Sequence, residues 1–174
     1  REEIVSFGEG WSPLIPMAHH IFIKDETVNP TGSFKDRGMA MAVTMAKAQG
    51  VESICLPSAG NAGVSAAAYC QKAGIDCHVF LPETIPDSFK KATDQYGANI
   101  ILEGQTISQA AHKMLESKEE NWFDISTLKE PFRVEGKKTL GYEIAEQMNW
   151  ELPDVIIYPT GGGTGLIGMW KAFQ

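Results

Sequence analysis

Short apolar runs alternate along this chain with longer stretches whose apolar positions recur every three or four residues. Ile21–Lys24 predicts a short strand, and a helix from about Ser33 to Gln49 follows, stopped by Gly50. Ser53–Leu56 predicts the next strand. After a Pro57–Gly63 loop, VSAAAYCQKA predicts a helix ending at Gly74. The cycle then repeats, with a strand at Cys77–Leu81 and a helix opened by Pro86, Asp87 and Ser88 and running to Tyr96. A strand at Asn99–Leu102, a helix from Ile107 to Glu119 and a strand at Asn121–Asp124 complete the series. Short strands apolar on both sides, set between amphipathic helices, mean βαβ units and a parallel sheet covered on both faces. The fold class is α/β. Beyond Asp124 the pattern predicts an irregular polar loop through Gly136, a helix over KKTLGYEIAEQM, a strand at Asp154–Tyr158 and a last helix after Gly165.

Composition narrows the class of function. With 174 residues, 43% hydrophobic and 21% charged, the chain can bury a real core. No apolar run approaches the eighteen or so residues that a membrane-spanning helix needs. A net charge of −7 and the lack of a basic stripe argue against nucleic acid. Cys55, Cys70 and Cys77 form an odd set without paired short spacing, which reads as buried free thiols in a reducing cytosol, hence a cytoplasmic protein. No metal is expected, because His19 and His20 stand alone without a second ligand cluster. The chain opens at Arg1 without a signal-like segment and closes in what reads as mid-helix, as a fragment of a longer protein would.

Candidate chemistry begins at NPTGSFKDRG, Asn29 to Gly38. Pro30 and Gly32 break regular structure and Ser33 is a good N-cap, which sets Lys35 in the first turn of a helix. The positive end of the helix dipole disfavours an ammonium there. A lysine whose amine must be neutral, or joined to a carbonyl, suits that place. A solvated surface lysine between Asp36 and Arg37 fits the local pattern as well.

Two glycine-rich loops each follow a strand and precede a helix, where open α/β sheets place their ligands. In Thr160–Gly165, successive N–H groups of Gly161, Gly162 and Gly163 can converge on an anion, Thr164 adds a hydroxyl and Gly165 opens the helix. No Gly-Lys-Ser/Thr follows, and no acidic residue stands at dinucleotide spacing, so neither nucleotide fingerprint applies. Ser58, Ala59, Gly60, Asn61 and Ala62 form the other loop, whose N–H groups suit a carboxylate. Helix capping by Ser58 or Asn61 explains that loop equally.

These segments, in this order, resemble the fold type II, tryptophan-synthase-like pyridoxal-phosphate enzymes. Within them NPTGSFKDRG is most similar to the threonine synthases, as is PFRVEGKKT from Pro131 to Thr139. Serine/threonine dehydratases and cysteine synthases stay in view, the dehydratases less so because Ala62 replaces their usual histidine. The resemblance implies a two-lobed architecture of parallel sheets covered by helices. Residues 41–126 would form a small α/β domain, and residues 1–40 and 127–174 parts of a larger cofactor-binding domain that is incomplete here.

The resemblance also implies roles. Lys35 would be the catalytic residue and hold pyridoxal phosphate covalently. Asn61 would face the cofactor ring, and Gly161, Gly162, Gly163, Thr164 and Gly165 would grip its phosphate. Ser58 to Ala62 would take the substrate carboxylate, and Arg133, with Lys137 or Lys138, the phosphate of O-phosphohomoserine. Without a resemblance, Arg133 also fits a surface pair with Glu130 or Glu135. The reaction implied is threonine synthesis, a lyase chemistry on a small amino-acid substrate, with a homodimer at full length and neither nucleic acid nor membrane as partner. A non-catalytic ligand-binding or regulatory homologue is the alternative of another class. Two departures stand out: only four residues separate Pro16 from Ile21, a connection usually longer, and Glu130 replaces a usual asparagine.

Overall fold

The computed structural model describes residues 4–174; of the flanking segment expected over residues 1–40, the first three lie outside the described range. Two strands, β1 (Leu14–Ala18) and β2 (Ile21–Lys24), open the fold as an exposed antiparallel hairpin turned by His19 and His20. Only β2 was expected. Pro16 within β1 hides the strand pattern, and a two-residue turn leaves little of the usual glycine or asparagine signal.

The remaining elements follow as helix α1 (Lys35–Ala48), β3 (Ser53–Pro57), α2 (Asn61–Ala73), β4 (Asp76–Leu81), α3 (Asp87–Asp94), β5 (Asn99–Leu102), α4 (Ile107–Ser117), β6 (Trp122–Asp124), α5 (Phe132–Gln147) and α6 (Thr164–Ala172). Strands β3 to β6 form one parallel sheet in the order β5-β4-β3-β6. Alternation along β3 separates its faces. Ile54 and Leu56 pack with Val43, Ala67 and Tyr69 of α1 and α2, whereas Cys55 joins Phe80, Ala110 and Met114 beneath α4. Helices therefore cover both faces, as the two-sided apolar strands demand. Alanines dominate the buried face of α2, which lets the helix lie close to the sheet.

Strand order reverses between β3 and β6, since β4 and β5 extend to one side of β3 and β6 returns to the other. That switch point lies at the strand ends Pro57 and Asp124, beyond which sheets of this kind leave a crevice for ligands. The boundary expected near Met41 falls inside α1, a helix that packs on α2 on one side and on α5 on the other.

Two sequence expectations are corrected. Asp154–Tyr158 is not a strand: no described strand lies beside it to share hydrogen bonds, and Ile157 remains 95% exposed. Nor do residues 132–136 form a loop, for α5 begins at Phe132. The Glu130 carboxylate accepts hydrogen bonds from the Phe132 and Arg133 N–H groups, at 2.5 and 3.0 Å, and caps the helix early.

A buried ion cluster ties the N-terminal segment to both helices. The Arg37 guanidinium donates to Glu26 on one side and to Glu143 of α5 on the other, with contacts of 2.5 to 2.7 Å. Lys24 adds a 2.9 Å bond to Glu143. Burial alone would raise the Glu143 carboxyl, but hydrogen bonds from Arg37, Lys24 and the Trp11 N–H outweigh it and hold the group near 2. A carboxyl depressed on folding stabilises the fold above its unfolded value and loses that contribution as pH falls. Stability should decline between about pH 4.5 and 2 by on the order of a few kcal/mol. Glu143→Gln should flatten that part of the profile in urea titrations at successive pH values; an unchanged slope would mean that other carboxyls carry the acid transition.

Candidate active site

Lys35 is the first residue of α1. Phe34 takes the cap position, and the Ser33 hydroxyl accepts only a long 3.4 Å bond from the Lys35 N–H. The stronger organiser of this loop is Asp36, fully buried. Its carboxylate accepts from the Thr31 N–H and hydroxyl, at 2.7 and 2.5 Å, and from the Ser65 hydroxyl of α2 at 2.5 Å. Successive helical residues diverge by about 100°, so Asp36 holds the loop and Arg37 the ion cluster while Lys35 is left for the crevice.

Close helix packing brings α5 up to it. A Cβ on Gly136 would overlap the Arg37 carbonyl oxygen and come within 2.9 Å of Met41. One on Gly38 would lie 2.8 Å from the Arg133 carbonyl and 3.0 Å from Lys137 Cε. Glycine at both positions lets α1 and α5 touch along their backbones. A third contact follows at Gly168 of α6, where a Cβ would come within 2.9 Å of Lys137 Cβ.

Three cations converge as a result. Lys35 Nζ lies 3.7 Å from the centre of the Phe34 ring and Lys137 Nζ 5.2 Å from that same centre. Arg133 is 4% exposed and Lys137 not exposed at all. Arg133 donates from Nη1 to the Ile125 carbonyl at 2.6 Å, just past the end of β6, and its buried Nε has no partner among the described residues. Burial and the neighbouring Arg133 pull the Lys35 ammonium down to about 8. Burial, Arg133 and Lys35 together pull Lys137 down to about 7. Burial also lowers Arg133. Glu130, the nearest carboxylate, spends its oxygens on backbone N–H groups. Positive charge gathered without matching negative charge is chemistry for an anion.

The glycine loop borders the same space. Gly163, at φ 78°, turns the chain into α6 in a conformation suited to glycine. An added Cβ at Gly161 or Gly163 would meet nothing within 4 Å, whereas one at Gly162 would press on Thr127, beyond β6. Thr164 accepts a 2.6 Å bond from Lys137, and Gly165 abuts the Phe34 and Tyr158 rings. In the other loop the Ser58 hydroxyl accepts from the Gly60 and Gly63 N–H groups at 3.2 and 2.9 Å and donates to the Gly60 carbonyl, so it shapes the loop. Ala59 and Asn61 are exposed, with Gly60 and Ala62 half-buried. Asn61 lies one helical turn before Ser65, which bonds the residue next to Lys35.

Arg133 is thus neither at the surface nor in a loop, and Glu135 pairs instead with Lys138 and Lys171. Lys138 turns away and only Lys137 enters the cluster. Phe34 and Thr127 were not among the expected site residues. Phe34 carried a signal, an aromatic fixed at the loop-to-helix junction beside Lys35, whereas nothing local marks Thr127.

Comparison with known proteins agrees with this geometry. A family model described as pyridoxal-phosphate dependent enzyme matches residues 5–174. The chain belongs to that family, whose cofactor is pyridoxal phosphate. It is similar to the threonine synthase of Methanocaldococcus jannaschii, 37% identical over all of this chain and 45% of that protein. A solved structure of processed threonine deaminase isoform 2 from Solanum lycopersicum superposes with a TM-score of 0.80 at 26% identity, over 93% of this chain and 49% of that one. Cysteine synthase from Entamoeba histolytica shares the fold with a TM-score of 0.85 at 21% identity, over 95% of this chain and 54% of that one. The chain spans about half the length of the curated relatives it matches, 45% and 50% of two threonine synthases. The residues present fit the cofactor: an easily neutralised lysine, and a glycine loop at a helix start whose Thr164 hydroxyl is bonded by the buried Lys137.

Two outcomes test this construction. Gly136→Ala should cost about 2 to 3 kcal/mol in denaturant unfolding, because α1 and α5 must part. A loss below about 0.5 kcal/mol would show that the helices do not touch there. Separately, the Lys35 amine, followed by NMR after reductive methylation with labelled formaldehyde and assigned through Lys35→Ala, should titrate near 8. Arg133→Met should move it upward, and a value near 10.5 in the unsubstituted protein would place Lys35 in open solvent.

Proposed function

We propose that this chain carries the reaction centre of a threonine synthase, a carbon–oxygen lyase converting O-phosphohomoserine and water to threonine and phosphate. The observation that carries this reading is Arg133, buried beside Lys35 and Lys137 with an unpartnered Nε. A phosphorylated substrate needs an anion site besides those for its carboxylate and for the cofactor phosphate. The names of relatives such as that of Methanocaldococcus jannaschii support the same choice.

Bound pyridoxal phosphate supplies an electron sink that stabilises negative charge on substrate carbon. Lys35 would hold the cofactor, with Gly161 to Gly165 on its phosphate and Asn61 toward its ring. The chain's own residues then do the positioning. A lysine already drawn toward neutrality by burial and by Arg133 can take a proton from the substrate α-carbon and return one later, which a fully charged ammonium cannot. N–H groups of the Ser58–Ala62 loop would take the carboxylate, ordered by the Ser58 hydroxyl. Arg133 would hold the phosphate bidentately, keeping the leaving oxygen aligned and stabilising the charge it gains. Burial of Arg133 and Lys137 keeps water from weakening that grip.

The lobes follow from the same reading. Residues 41–126 form the smaller one, residues 1–40 and 127–174 contribute to the larger, and α1 joins them across the crevice. The likeness to tomato threonine deaminase favours a second reading, elimination from serine or threonine, which needs no second phosphate site. Arg133→Ala separates the two. Under the first reading it lowers kcat/KM for O-phosphohomoserine by about 100-fold or more, the worth of a bidentate charged contact, and spares elimination from threonine. Equal losses on both substrates would leave Arg133 a structural role and favour the dehydratase.

A further inference from the structure

Lys137 is placed with unusual care for a residue that the proposed reaction does not strictly need. Its stem passes between Gly38 of α1 and Gly168 of α6, neither of which could carry a side chain without striking it. That slot directs the ammonium to the Thr164 hydroxyl, 2.6 Å away, and toward the Phe34 ring. Among the described residues no carboxylate bonds it. The titratable groups facing it are Lys35 from α1, Arg133 on its own helix and Glu130 just before that helix; α6 presents only Thr164.

Thr164 can hold one proton and accept at two lone pairs. In its charged form, which a bound anion favours, Lys137 fills a lone pair and has none of its own to accept the hydroxyl proton, and among the described residues no other group accepts it. Thr164 is the first residue of α6 and follows the glycine loop directly, so an anion held by that loop is an acceptor within its reach. We propose that Lys137 is a positioning residue for the phosphate monoester bound at Thr160–Gly165. It holds the Thr164 hydroxyl by its lone pair, so that the proton points at the anion and the ammonium charge polarises it. This deepens the reading of that loop as the cofactor phosphate site and rests on it.

The test compares pyridoxal phosphate with pyridoxal, which differ only in the phosphate, as ligands of the purified protein. Dissociation constants from absorbance titrations of the unsubstituted protein, Lys137→Met, Thr164→Val and the double variant give the preference for the phosphorylated form. Lys137→Met should reduce that preference by about tenfold or more, the worth of a charge-assisted hydrogen bond, with pyridoxal binding unchanged. Thr164→Val should do the same, and the double variant should be little worse than either alone, because the two act as one unit. A preference intact in Lys137→Met, a loss shared by pyridoxal, or losses that multiply fully in the double variant would each overturn the role of Lys137 while leaving the loop assignment standing. Absence of any preference in the unsubstituted protein would overturn both. Melting curves report the fold of each variant, and Lys137→Gln, which keeps a donor without charge, replaces Lys137→Met if that variant does not fold; the same losses are expected of it.

Discussion

The backbone contact between α1 and α5 is the constraint on which this centre depends. Gly38 and Gly136 let two helices meet where any side chain would hold them apart, and the three cations are borne by those helices. Two lysines and an arginine repel one another, so no attraction among them explains why they gather. Packing elsewhere does. The Arg37 cluster with Glu26 and Glu143 pulls the helices together about two turns further along α5, and the alanine-rich face of α2 supports α1 from behind. A favourable ion cluster thus offsets an unfavourable one. Such stored repulsion is characteristic of sites that wait for a charge of the opposite sign.

The sheet adds a second condition. Because the strand order reverses at β3, the loop after β3 and the turn after β6 face each other across a crevice. Arg133 reads the position of the β6 end directly, through the Ile125 carbonyl, and Gly162 meets Thr127 a little beyond it. The sheet and the helix layer are therefore registered to one another at Arg133, beside the two lysines.

Most of this sheet was legible in the chain. Strands β3 and β4 are short apolar runs buried on both sides, with β5 and β6 partly buried at the flanks; the helix closed by Gly50 leads into β3, and the one closed by Gly74 separates β3 from β4. The setting of Lys35 was legible too, because Pro30 and Gly32 mark a helix start, although Phe34 and not the expected Ser33 takes the cap position. Three things were not. Helix α5 hides its beginning because its buried face carries Arg133, Gly136, Lys137 and Gly141 where apolar residues would normally signal burial. Its cap is a glutamate reaching forward, not one of the short side chains that announce a helix start. Asp154–Tyr158 has strand composition, but a strand exists only beside another, and pairing is not written in the segment itself. The burial of Arg133 was hidden for the same reason, since it depends on which helix the chain later lays against it.

Three adjacent residues, Lys35, Asp36 and Arg37, point to three different bodies: the crevice, the loop with α2, and the ion cluster with α5. Each tolerates its neighbour only at one angular phase of the helix. Deleting a single residue just ahead of this short run would rotate the whole set by about 100°, turning the carboxylate toward the two other cations and a guanidinium toward α2, and an insertion would rotate it as far the other way. Point substitutions can be absorbed one contact at a time, but a shift of frame by one position fails everywhere at once. Lengthening between elements is therefore open to this fold at the tip of the β1–β2 hairpin, where the turn meets solvent, and closed to it here.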